Sequence, residues 1–161
     1  MLSACGGDDG PAGDSGAAGT NQSAGGAPPA KGKEIRLACD LAGPDVVAEV
    51  FGGTAVKEPV VLAESQCAYR VTGGAAEVVL LTNMGSSGNW PGIKATYEKT
   101  HQLIRQVDDV GTDAVLIGNA KNPALVIASG AVIFSVGVLD PTPTSAEKVM
   151  ELGKRIADDV G

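Results

Sequence analysis

Three groups of residues carry side chains able to do chemistry. The first is Gly85-Ser86-Ser87-Gly88-Asn89 together with His101, the one imidazole in the chain. A serine nucleophile needs a base within hydrogen-bond reach and a sharp strand-to-helix turn that exposes its hydroxyl. The stretch nearly matches the G-x-S-x-G elbow, but Asn89 stands where its last glycine belongs. It defines a hydrolase reading that uses His101 with Ser86 or Ser87. The plainer reading is a surface loop and a histidine packed beside Tyr97. No Gly-Lys-Ser or Gly-Lys-Thr closes the stretch, so it is not a phosphate loop. The second group, Asp108, Asp109 and Asp113, lacks the alternating carboxylates of a calcium loop and reads as turn and capping residues. The third is Trp90, the single tryptophan, set in a Gly-rich loop at the start of a helix. Its indole either stacks on a ligand or partner, or staples the helix start onto the core. The expected contact region is the loop 83–92, with Trp90, Asn89 and Ser87 as the contacting residues.

Those residues need a scaffold, and the apolar periodicity outlines one. Gly43-Pro44-Asp45 starts a helix, with Pro at the first helical position and an acid in the first turn; Val46, Val47, Val50 and Phe51 give it an apolar side, and Gly52-Gly53 ends it. Strands follow at Thr54 to Leu62, interrupted by Pro59 and therefore an edge, and at Cys67 to Thr72. Gly73-Gly74 turns into a third strand, Ala75 to Thr82, whose run Glu77-Val78-Val79-Leu80-Leu81 is apolar on both faces and suits an interior position. After the loop, Ile93, Tyr97, His101 and Ile104 share one face of a helix expected from Pro91 to Gln106, with Lys94 and Glu98 paired on its solvent side. Strands resume at Asp113 to Gly118, Ala124 to Ala128 and Ala131 to Leu139, the last two joined at Ser129-Gly130. A final helix opens on Thr144 and Glu147 as a capping box and carries Val149, Leu152, Ile156 and Val160 inward. Short turns imply antiparallel neighbours. The expected fold is α+β, a largely antiparallel sheet with packed helices, in the order helix, three strands, helix, three strands, helix.

Composition sets the outer limits. The chain has 161 residues, 43% hydrophobic and only 3% aromatic, so its core is aliphatic. Net charge is −7, and from residue 31 onward 16 acids face 12 bases with no basic stripe. Nucleic acid is therefore not an expected partner. No apolar run approaches the roughly 20 residues of a membrane-spanning helix. Residues 6–33 are dominated by Gly, Ala, Ser, Pro, Asn and Asp with no apolar period and read as a disordered tether, with a reach on the order of 30 Å.

Ahead of that tether, Leu2-Ser3-Ala4-Cys5 resembles the lipobox of bacterial lipoproteins, in which the cysteine is lipidated. A lipoprotein signal also carries a basic start and an apolar stretch before its cysteine, and only Met1 to Ala4 precede Cys5 here; the reading expects that stretch upstream. Of three cysteines, lipidation of Cys5 leaves Cys39 and Cys67 free to pair, the alternative being two buried thiols. Metal binding is disfavoured, because there is no C-x-x-C pair and one histidine. The expected organisation is 1–5 as a signal remnant, 6–33 as the tether and 34–161 as one domain.

Three stretches carry a wider likeness: Cys39-Asp40-Leu41 ahead of a Pro-started helix ending in Gly, Gln66-Cys67-Ala68-Tyr69, and Val110-Gly111-Thr112-Asp113-Ala114 opening a strand. Together they resemble small actinobacterial cell-envelope lipoproteins whose domain has no assigned function. They are also similar to the extracellular sensor domains of mycobacterial receptor serine/threonine kinases. Where those families show Thr-Pro at the first helix, this chain has Gly43-Pro44. The resemblance implies an exported α+β domain with a cystine at Cys39 and Cys67, and it carries no catalytic residues. The expectation is a non-enzymatic, lipid-anchored domain on the outer face of the cell membrane, without a cofactor, binding an envelope protein or small ligand. The alternatives are the hydrolase above and a ligand-free envelope spacer.

Overall fold

The computed structural model describes residues 37–55, 58–100, 102–119 and 121–161. A single 3₁₀ turn, Ala38–Asp40, leads into helix α1, Pro44–Phe51. Pro44 sits in its first turn and Gly52, at φ 71°, ends it in the left-handed conformation that a residue without Cβ adopts at low cost. Strands β1, Thr54–Ala55, and β2, Val60–Ala63, follow on either side of Pro59. Next come β3, Gln66–Thr72, and β4, Ala76–Ser86. A second 3₁₀ turn, Ser87–Asn89, runs directly into α2, Trp90–Lys99. The second half is β5, Leu103–Val107; β6, Asp113–Asn119; β7, Asn122–Ser129; β8, Val132–Pro141; and α3, Ser145–Val160.

The strands form one antiparallel sheet in the order β1-β3-β4-β8-β7-β6-β5. β1 and β2 both pair with β3, β1 at Val71 and Thr72 and β2 at Gln66 to Ala68, so the two share one edge position. This is the edge strand expected at Thr54 to Leu62, split around its proline. Each half is therefore a meander, and the two meet at β4 and β8.

α1 and α3 cover one face. There Val47, Val50, Phe51, Val149, Leu152, Ile156 and Val160 pack on Cys67, Tyr69, Leu81, Leu125, Ile127, Phe134 and Val136. Each large aliphatic side chain removed from water here contributes about 1.5 to 3 kcal/mol. Gly153 lets α3 approach β7 closely, since a Cβ at that position would lie 2.6 Å from Leu125 Cδ2 and 2.7 Å from Ile127 Cδ1. α2 lies on the other face, with Trp90, Ile93 and Tyr97 against Val115, Val126, Ala128 and Ile133.

Four expectations are corrected. The helix expected to run to Gln106 stops at Lys99, and Leu103–Val107 is instead a fourth strand of the second half. Thr96 and Thr100 hydroxyls bond back to the carbonyls of Gly92 and Thr96, and a β-branched residue closing the last turn favours termination. The loop expected at Asn83 to Asn89 is the end of β4 followed by a 3₁₀ turn, because β8 supplies pairing partners out to Ser86. The turn between β7 and β8 is Gly130-Ala131, since Ser129 still pairs with Val132. At α3, Thr144 caps with its carbonyl and makes no side-chain cap bond. Ser145 Oγ takes the local role, accepting from the Thr142 N–H at 2.8 Å and donating to the Ala75 carbonyl.

Candidate functional site

The expected contact loop is a crown at one end of the sheet, built by distortions of β4. Asn83 donates its N–H to the Ser65 carbonyl at 2.9 Å, and its side-chain oxygen accepts from Gly85 N–H at 3.0 Å. Gly85 has φ 102°, and the β4–β8 register breaks between Asn83 and Gly85. Such a bulge bends the strand and re-aims the residues beyond it. Ser86 Oγ then accepts from Gly88 N–H at 3.4 Å, and the Ser87 N–H donates to the Ala131 carbonyl at 3.1 Å. Ser86, Gly88, Asn89 and Pro91 are exposed, while Ser87 is half-buried.

Trp90 points the other way. It is only 8% exposed, and its indole packs into the α2 side of the sheet with Val115, Val126, Ala128 and Ile133. Its Nε1–H donates to Asp113 Oδ2 at 2.7 Å. The same carboxylate oxygen accepts from Lys94 Nζ at 3.2 Å, and Asp113 Oδ1 accepts from Gln106 Nε2. α2, β5 and β6 thus converge on one carboxylate. Partial burial pulls the Asp113 carboxyl upward, and the hydrogen bonds from Trp90, Gln106 and Lys94, with the Lys94 charge, more than offset it and hold it below its ordinary value. Burial raises the Tyr97 phenol above its ordinary value.

Trp90 therefore acts as a staple, and Asn89 and Ser87 stand outward of it. Comparison of the chain with protein-family models, with curated proteins and with solved structures gives no match.

Several expected residues are placed apart from the crown. Lys94 joins Asp113 rather than Glu98. Asp109 occupies a turn at φ 62°, while Asp113 is the latch, so the acids do not converge. Among the described residues no group of His, Cys, Asp and Glu is arranged to hold a metal. The serine elbow needs a parallel sheet, and β4 lies between antiparallel β3 and β8. His101, Cys5 and the tether 6–33 lie outside the described residues.

The cysteines do come together. Cys39 in the 3₁₀ turn and Cys67 on β3 form a disulfide with Cα atoms 5.2 Å apart. Around it, the Ala38 N–H donates to Glu64 O at 3.0 Å and Tyr69 OH donates to Ala42 O at 2.6 Å. Burial, then the nearby Asp40 charge, pushes the Tyr69 phenol up. The start of the described chain is thus moored to the sheet at the end that carries the crown.

Local patterning gives Asp113 and Lys94 other roles, a turn or cap and a pair with Glu98, and marks Gln106 only as a helix end. The signal available is a lone tryptophan N–H that must find an acceptor once buried.

Proposed function

We propose that this chain is a lipid-anchored cell-envelope domain without enzymatic activity, which binds an envelope protein or small ligand. The observation that supports it is the Cys39–Cys67 disulfide. Structural disulfides persist in oxidising compartments, and pairing these two leaves Cys5 as the odd cysteine, available for lipid. Residues 6–33 then serve as the tether, in keeping with the likeness to envelope lipoproteins. Recognition falls to the crown: Asn89 and Ser87 meet the partner, and Trp90, tied to Asp113, holds them in place.

Intact mass of the protein expressed from its full upstream reading frame tests this reading. Acyl mass on Cys5, with loss of one hydrogen from each of Cys39 and Cys67, is the expected result. An unmodified, fully reduced product overturns it.

A further inference from the structure

The sheet's two edges differ in chemistry. β5 carries exposed Arg105 and Gln106. On β2, Val60, Val61 and Leu62 are 53%, 55% and 56% exposed, and no strand lies on its outer side among the described residues. An apolar edge is a template for strand addition, which charged residues normally blunt. The register also links this edge to the uncovered part of the sheet. Val60 lies beside Ala68, Ala68 beside Leu80, Leu80 beside Gly137 and Gly137 beside Ala124. Cross-strand neighbours share a face, so an apolar row runs inward from the free edge toward α2.

Two acids frame the edge. Glu58 and Glu64 are exposed, and neither carboxylate makes an ion pair or hydrogen bond among the described residues. A second copy paired antiparallel about Val61 would set Glu58 of one chain opposite Glu64 of the other, and like charges directly opposite destabilise a strand pair. A complementary strand instead carries a cation near each end. Pro59 and the register break between Val61 and Ala63 keep the free edge short, which suits one added strand and opposes open-ended assembly.

We infer that β2 is a docking edge for an extended segment of another polypeptide, apolar at alternate positions and flanked by Lys or Arg. The segment adds to the sheet through its backbone, its apolar side chains continue the row of Val60, Ala68 and Leu80, and its cations meet Glu58 and Glu64. This surface is separate from the crown, and its test does not depend on lipidation of Cys5.

The test uses the full 161-residue chain and a fluorescein-labelled peptide, Lys-Thr-Val-Thr-Val-Thr-Lys, which sets a Val beside Val60 when its Lys residues face Glu58 and Glu64, titrated at low salt and followed by polarisation. Saturable binding is expected. A Glu-ended peptide of the same core should bind about tenfold more weakly, because two attractive pairs become repulsive. Val60→Lys, on an exposed site at the head of that row, should abolish binding and leave the unfolding transition in place. Absence of binding, indifference to the peptide's end charges, or binding unchanged by Val60→Lys would each overturn the inference. So would a dimer in sedimentation that Val60→Lys abolishes, which would make a second copy the occupant.

Discussion

Strands β7 and β3 each lie between antiparallel neighbours, yet they are buried differently. In β7 every residue from Leu125 to Ser129 is buried. In β3 only Cys67, Tyr69 and Val71 are buried, while Gln66, Arg70 and Thr72 face water. The cause is the path of the chain. β4 ends at the centre of the sheet and β5 begins at the far edge, so α2 must cross β8, β7 and β6 on the way. α1 and α3 take the opposite face. No described helix crosses β2, β3 and β4 on the α2 side, and Val78 and Leu80 stay half-buried there although β4 is interior. Coverage, and with it the surface left for recognition, follows from connectivity more than from strand composition.

The largest test of this contrast compares two leucines. Leu152 on α3 is fully buried against the β7 side of the sheet, and Leu80 lies on the open face. Leu152→Ala should cost about 3 to 5 kcal/mol through lost transfer energy and a cavity that the packed helix cannot refill. Leu80→Ala should cost about 1 kcal/mol, since water already reaches the site. Urea midpoints at unchanged m-value measure both. Equal costs would mean that the β4 face is covered after all.

The open half carries a covalent tie on the face that α1 and α3 cover. The disulfide closes a separation of 28 residues, worth about 3 to 4 kcal/mol on the chain-entropy estimate. Replacing both Cys39 and Cys67 by Ser should lower stability by that amount. Hydrogen exchange should then rise first at β2 and β3 and last at β7. Uniform acceleration across the sheet would show that the two halves open as one unit.

Much of the fold is legible locally. α1 is bounded by Pro44 and Gly52, α3 is marked by its apolar stripe, and the alternation of Phe134, Val136 and Val138 marks their buried face. β5 is not legible, because Ile93, Tyr97 and Ile104 fit a helical period that runs across the true end at Lys99. The strand exists because β6 offers it a partner, a tertiary cause that no local window contains. Likewise, the run Val78 to Leu81 reads as apolar on both faces whether or not anything covers it. Trp90 is ambiguous for a similar reason: Gly-rich surroundings imply exposure, and the acceptor that draws the indole inward is Asp113, 23 residues away.

The smallest effect concerns the latch that makes the covered half what it is. Asp113→Ala removes the acceptor of a buried indole N–H and of Lys94, and should cost about 1 to 3 kcal/mol, the penalty for leaving such a donor unpaired. Titration separates the latch from mere packing. The folded-state carboxyl sits below its ordinary value, so its contribution is present above the unfolded value near 4 and is lost as pH falls through the lower folded value. Urea midpoints of the wild type should therefore drop more steeply as pH falls below the unfolded carboxyl value than those of Asp113→Asn, which keeps an acceptor oxygen but has no proton to gain. Parallel curves would mean that α2 is held by the indole's apolar contacts alone, and that the covered half owes its second layer to packing rather than to Asp113.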